Sequence, residues 1–193
     1  MKKATGILLF MMAIATASWA QGVSFGIKAG LNFAKESATI SGISLNSDNL
    51  TSFHGGVYAK IMFNESFGLQ PELLYSGQGG SFSSGSTSND DKFAYLNVPV
   101  MLRYNITPVF NLQAGPQLGL LMSATSGGTD VKAQMKSTDF AAAFGLGVDL
   151  PMGLNFAARY IAGLSDIQAN SSSGATLKNQ VIQISVGYKL FGM

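Results

Sequence analysis

The chain of 193 residues contains no cysteine, one histidine, one tryptophan and five prolines. Without cysteine there is no disulfide framework and no lipidated N-terminal cysteine. With a single imidazole and no thiolate, a transition-metal site is not expected. Charge is sparse, at 11% of residues, and nearly balanced at +2. No basic cluster occurs after Lys3, so nucleic acid is not expected as a partner. Beyond residue 20 no apolar run approaches the ~20 residues that a membrane helix needs. If the chain crosses a membrane, it must do so as a closed barrel, because lipid does not tolerate an open sheet edge.

What is present is apolar and rich in glycine: 47% hydrophobic residues and 23 glycines. That composition fits neither a disordered chain nor a helical one. Lys2 and Lys3, the apolar run Ile7 to Ala17, and Ser18-Trp19-Ala20 have the pattern of a secretory signal peptide, residues 1–20. A single domain, residues 21–193, is expected to follow it.

The clearest local pattern lies at Val181 to Leu190, V-I-Q-I-S-V-G-Y-K-L. Ile182, Ile184, Val186, Tyr188 and Leu190 alternate with Gln183, Ser185, Gly187 and Lys189, a period of two that marks a strand with one apolar face. Seven further segments repeat it: Gly22–Ala34, Ser52–Phe63, Phe67–Gln78, Lys92–Ile106, Val109–Leu121, Thr138–Leu150 and Leu154–Gly163. When the bulky apolar residues set the parity, Lys28, Lys60, Glu72, Arg103, Asp149, Arg159 and Lys189 all fall on the opposite face. A charge facing lipid near the midplane costs roughly 2–4 kcal/mol. A soluble sandwich would show the same alternation with the faces reversed.

Connection lengths separate the two readings. Asn64–Ser66, Thr107–Pro108 and Pro151–Gly153 are tight, whereas Lys35–Thr51, Gly79–Asp91, Met122–Ser137 and Leu164–Asn179 are long and polar. Long and short alternate without a break, as in outer-membrane barrels with short periplasmic turns and longer outward loops. Aromatics on the apolar parity group at both strand ends, as two interfacial belts require. Phe25, Phe63, Phe67, Tyr104, Phe110, Phe156 and Tyr188 lie near the tight turns. Phe33, Phe53, Tyr75, Phe140 and Tyr160 lie near the long connections. The pattern predicts an all-β fold, an eight-stranded antiparallel up-and-down transmembrane barrel.

At Phe67–Gly79 and Tyr95–Ile106 the sequence reads F-G-L-Q-P-E-L-L-Y-S-G-Q-G and Y-L-N-V-P-V-M-L-R-Y-N-I, and at Gly26–Phe33 G-I-K-A-G-L-N-F. These stretches resemble the outer-membrane β-barrel ("porin family", PorT-like) domain of Gram-negative bacteria. The resemblance covers Gln21 to the end and is weak for activity. It implies location in the outer membrane, contact with its lipid and lipopolysaccharide, and help from the barrel-assembly machinery. Such barrels usually end on an aromatic residue, and here Phe191 is followed by Gly192 and Met193.

An eight-stranded barrel has a bore that side chains fill. The seven inward charges are therefore expected to form a packed polar network rather than to line a pore. Buried charges need partners, and the expectation for Glu72 is an inward cation, with Arg103 on the neighbouring strand as first choice. His54, with Ser52 or Ser76, is the one arrangement suggesting a rim lipid hydrolase or acyltransferase. No motif fixes a nucleophile, base and orienting group there. No catalytic, cofactor-binding or metal-ligating residue is assigned, no cofactor is expected, and the chain is expected to be a monomer. The leading expectation is a non-enzymatic structural or surface-interaction protein, with a small-solute channel as the alternative.

Overall fold

A computed structural model describes residues 22–40, 43–84, 87–168 and 176–192. The expected signal peptide, 1–20, lies outside the described residues. In chain order the strands are β1 (Gly22–Ile40), β2 (Ile43–Asn46), β3 (Leu50–Met62), β4 (Phe67–Ser84), β5 (Thr87–Asn105), β6 (Phe110–Ser126), β7 (Thr129–Asp130), β8 (Thr138–Asp149), β9 (Leu154–Gly163) and β10 (Thr176–Gly192). Eight of them form an antiparallel ring, β1-β3-β4-β5-β6-β8-β9-β10, in which β10 closes back on β1. Each of the eight alternating segments is one barrel strand. The short β2 and β7 fold back on the outer ends of β1 and β6.

The seam register shows why the alternation is strict. Ile27↔Tyr188, Ala29↔Val186 and Leu31↔Ile184 are paired on the outer face, and Lys28↔Gly187, Gly30↔Ser185 and Asn32↔Gln183 on the inner. A slip of one residue would exchange the faces of the whole strand. The large apolar side chains of the outward parity are exposed, among them Leu31, Phe53, Leu73, Leu102, Phe144, Leu146 and Ile184. That surface is stable only against lipid. Aromatic pairs mark both ends, Phe25–Phe191 and Phe67–Tyr104 on the turn side and Phe53–Tyr75 on the other.

The tight turns are held by side chains the sequence offers for the purpose. Asn64 Oδ1 accepts the N–H groups of Ser66 and Phe67, and Thr107 Oγ1 those of Val109 and Phe110. Gly153, at φ 86°, closes the third.

The long connections differ from expectation. The stretches read as loops are largely continued ladder: β1 and β10 stay paired to Thr39↔Thr176, β4 and β5 to Ser84↔Thr87, and β5 and β6 to Asp91↔Ser126. A strand of 19 residues, such as β1 or β5, is roughly 60 Å long, and even tilted by ~40° it rises well past the ~25 Å apolar band. β1, β4, β5, β6 and β10 therefore continue above the outer aromatic belt as an extramembrane crown, while β8 and β9 stop near it.

Candidate functional site

The lumen is built in layers. Innermost is a charged layer centred on Glu72 of β4. Its carboxylate accepts from Lys28 Nζ at 2.7 Å, from both terminal nitrogens of Arg159 at 2.6 and 2.8 Å, and from Gln70 Nε2 at 2.6 Å. Arg159 Nε also donates to Gln113 Oε1 at 2.9 Å. A second cluster lies toward the tight turns: Asp149 takes an ion pair from Arg103 Nη2 and another from Lys60 Nζ at 2.9 Å. Arg103 Nη1 joins the two by donating to Gln70 Oε1 at 3.0 Å.

Six of the seven inward charges named from sequence thus stand together. The seventh, Lys189, is exposed at the periplasmic mouth. The pairing of Glu72 also differs from the first choice. Arg103 faces Gly68 across the β4–β5 ladder, four residues from Glu72 and so roughly 13 Å along the strand. It meets Asp149 instead, while Glu72 reaches across the bore to β1 and β9.

Inward glycines leave the space these side chains occupy. A Cβ on Gly145 would come within 2.6 Å of Arg159 Cγ, and one on Gly26 within 2.3 Å of the Tyr58 ring. The side chains of Lys28, Glu72 and Arg159 are 1%, 0% and 1% exposed. These three side chains are thus withdrawn from solvent and occupy the bore at this level.

His54 lies inside the lumen rather than at a reactive rim. Its Nδ1 is 2.9 Å from Asn32 Oδ1 and its Nε2 3.0 Å from Ser185 Oγ. An amide oxygen only accepts, so Nδ1 carries the proton and the Ser185 hydroxyl donates to Nε2. The expected serines are engaged elsewhere: Ser52 Oγ donates to Gly77 O, and Ser76 Oγ accepts from Asn32 Nδ2. Serine, histidine and asparagine do line up here, but all three are buried in a filled bore. A substrate has no approach to Ser185, and the hydrolase reading is dropped.

Further outward the filling turns apolar. Ala34, Met101, Ala141, Ala143, Ile161 and Val181 form one cluster. Phe93, Tyr95, Leu121, Ala124, Ile167 and Leu177 form another inside the crown, with Val131 and Met135 packed on it. From sequence the inward residues are expected to form a packed polar network. Met101 is instead fully buried at the boundary between the charged and apolar layers. The amides Gln70, Gln113 and Asn32 were not singled out from sequence, because uncharged inward residues carry no distinguishing spacing.

A family model for the outer membrane protein beta-barrel domain matches residues 19–169. The chain belongs to this family. It is therefore an integral β-barrel of the outer membrane. Among solved structures it is similar to Neisserial surface protein A, at 16% identity and TM-score 0.58, over 88% of this chain and 100% of that one. It is also similar to Ail, the attachment invasion locus protein of Yersinia pestis, at 18% identity and TM-score 0.52, over 88% and 99%. At these identities the likeness is one of fold. No curated protein matches the sequence.

Proposed function

We propose that this protein is a closed, non-enzymatic barrel whose work is done by its outward crown and connections, as a structural or surface-interaction protein of the outer membrane. The observation that carries the reading is the sealed charged layer, in which Glu72 is 0% exposed between Lys28 and Arg159. A rigid closed scaffold with a polar outward rim is where binding surfaces are built. The channel alternative needs an open bore at this layer, and nothing in the packing favours it.

The same proposal places the chain in the porin-family, PorT-like branch, on the strength of the stretches at Phe67–Gly79 and Tyr95–Ile106. It further takes residues 1–20 as a cleaved signal peptide, lipopolysaccharide and outer-membrane lipid as the surroundings, the barrel-assembly machinery as the insertion partner, and a monomer as the working form. N-terminal sequencing of the envelope form tests the cleavage, with Gln21 expected first.

The deciding experiment is single-channel recording of the refolded chain in a planar bilayer, with insertion verified by protease protection. A silent bilayer is expected. Steady, repeatable conductance steps would overturn the closed-scaffold reading and make transport the leading function.

A further inference from the structure

The crown holds a buried carboxylate without a partner. Glu36 of β1 is 1% exposed, and neither Oε1 nor Oε2 has a hydrogen-bond partner. It lies three residues beyond Phe33 of the outer belt, hence above the membrane. Directly across the β1–β10 ladder stands Asn179, also buried and facing inward, whose Oδ1 is likewise unpartnered. The orientation of that amide is fixed from its nitrogen side, since Asn179 Nδ2 donates to Asp139 Oδ2 at 3.1 Å and to Tyr95 OH at 3.4 Å. Its oxygen is therefore left as an acceptor with nothing to accept. Three oxygens on neighbouring strands thus lack any donor.

Other strands complete the surroundings. Gly80 of β4 has no side chain, and the space is taken by Ser47 Oγ and by Glu36 Cγ, 3.4 Å from where its Cβ would be. The cross-strand partner of Gly80 is Asp91 of β5, on the inward parity of that strand. Burial, and next the charge of Asp91, push the Glu36 carboxyl up to about 8. Among the described residues no lysine or arginine pairs with Glu36. Lys35, Lys92 and Lys178 lie on the outward parities of β1, β5 and β10, and Lys92 pairs with Asp90 at 3.4 Å.

We infer that this pocket binds a divalent cation, with Glu36 and the Asn179 amide oxygen as ligands and Asp91 as the second carboxylate beside them. The donor set is oxygen only, mixing carboxylate with neutral amide, which suits a hard ion such as Ca²⁺ and excludes thiophilic metals. Among the described residues no three carboxylate, imidazole or thiol groups converge. Affinity is therefore expected to be modest, on the order of 10⁻⁴–10⁻³ M, as in extracellular calcium modules. The ion would tie β1, β10 and β5 together at the end of the barrel where lipid gives no support.

The test uses the refolded chain in detergent, stripped with chelator, and Tb³⁺ as a luminescent probe excited through Tyr95, which contacts Asn179. Saturable, tyrosine-sensitised emission competed by Ca²⁺ is expected, together with a calcium-dependent rise in the thermal midpoint. Glu36→Gln should lose at least tenfold in affinity and all of the calcium-dependent rise, yet without calcium melt no lower than the parent, because a neutral amide takes the place of a carboxyl that must itself be neutral when no ion is bound. That behaviour distinguishes loss of a ligand from misfolding. Asp91→Asn should weaken binding, and Asp130→Asn, on the exposed β7, should not. A thermal midpoint indifferent to Ca²⁺ and chelator, or Tb³⁺ emission unchanged in Glu36→Gln, overturns the site and leaves Glu36 as a buried neutral acid.

Discussion

Replacing Glu72 by Gln keeps the volume of the side chain and removes its charge. Lys28 and Arg159, whose side chains are each 1% exposed, then face an amide across the same short distances. Removing one member of a buried ion pair costs about 3–5 kcal/mol, most of it from the charge left behind. Here two cations are stranded, so the upper part of that range is expected. Lys28→Met should cost less, because Glu72 keeps its two-pronged contact with Arg159. The double variant Lys28→Met/Glu72→Gln should recover part of the Glu72→Gln loss, since one stranded cation is gone. The assay is urea unfolding of the refolded barrel in detergent micelles, read by circular dichroism and by the gel mobility of folded and heated samples. The only tryptophan, Trp19, lies within the proposed signal peptide, so a chain cleaved after Ala20 would offer no indole fluorescence. If Glu72→Gln costs under about 1 kcal/mol, or if Lys28→Met costs more, the charged layer is hydrated and open rather than sealed.

Other expectations follow from the same geometry. In the presence of chelator, the Glu36 carboxyl, raised from 4.5 to about 8, is protonated in the folded chain where the unfolded chain has already lost that proton. Stability should therefore fall as pH rises between those values, by up to about 5 kcal/mol, and Glu36→Gln should flatten the profile. A parent profile that is flat or rising across this window refutes the assignment. His54→Ala leaves the buried Ser185 hydroxyl without its acceptor and Asn32 Oδ1 with Gln183 Nε2 alone, and should cost about 1–3 kcal/mol in urea unfolding. It should change lipid hydrolysis by the refolded chain not at all. Gly145→Val places a side chain within 2.6 Å of Arg159 Cγ and of the Ala158 carbonyl oxygen. The folded fraction on semi-native gels should drop sharply, whereas Ala142→Val, on the outward parity of the same strand, should be tolerated.

The membrane-spanning portion was legible because lipid enforces a single rule there. Every second residue from Ile182 to Leu190 must be apolar, and any charge must point inward, so parity alone located Lys28, Glu72 and Arg159 in the bore. Which cation meets which acid was not legible. The stagger of the strands decides it, and Arg103 sits opposite Gly68 rather than Glu72. Neither the relay of His54 with Ser185 nor the pairing of Glu36 with Asn179 carries a local signal. Each joins residues separated by well over a hundred positions, brought together by closure of β10 on β1.

The crown was misread as loop for a reason of the same kind. Within the membrane the outer face is apolar and the bore polar; above it, water replaces lipid and the preference reverses. Phe93, Tyr95 and Leu177 point inward, while Leu96, Val98 and Ile182 on the same strands point outward at lower levels. β5, β6 and β10 thus change the face that carries their large apolar residues partway along. The reversal interrupts the period of two, and with serine and glycine around it the segment reads as irregular. A charge placed inside the crown therefore sits against an apolar filling, far from the arginines and lysines of the inner layer. Glu36 is in that position, and this is why an unpartnered carboxylate there asks for a cation from outside the chain, whereas Glu72, just as deeply buried, does not.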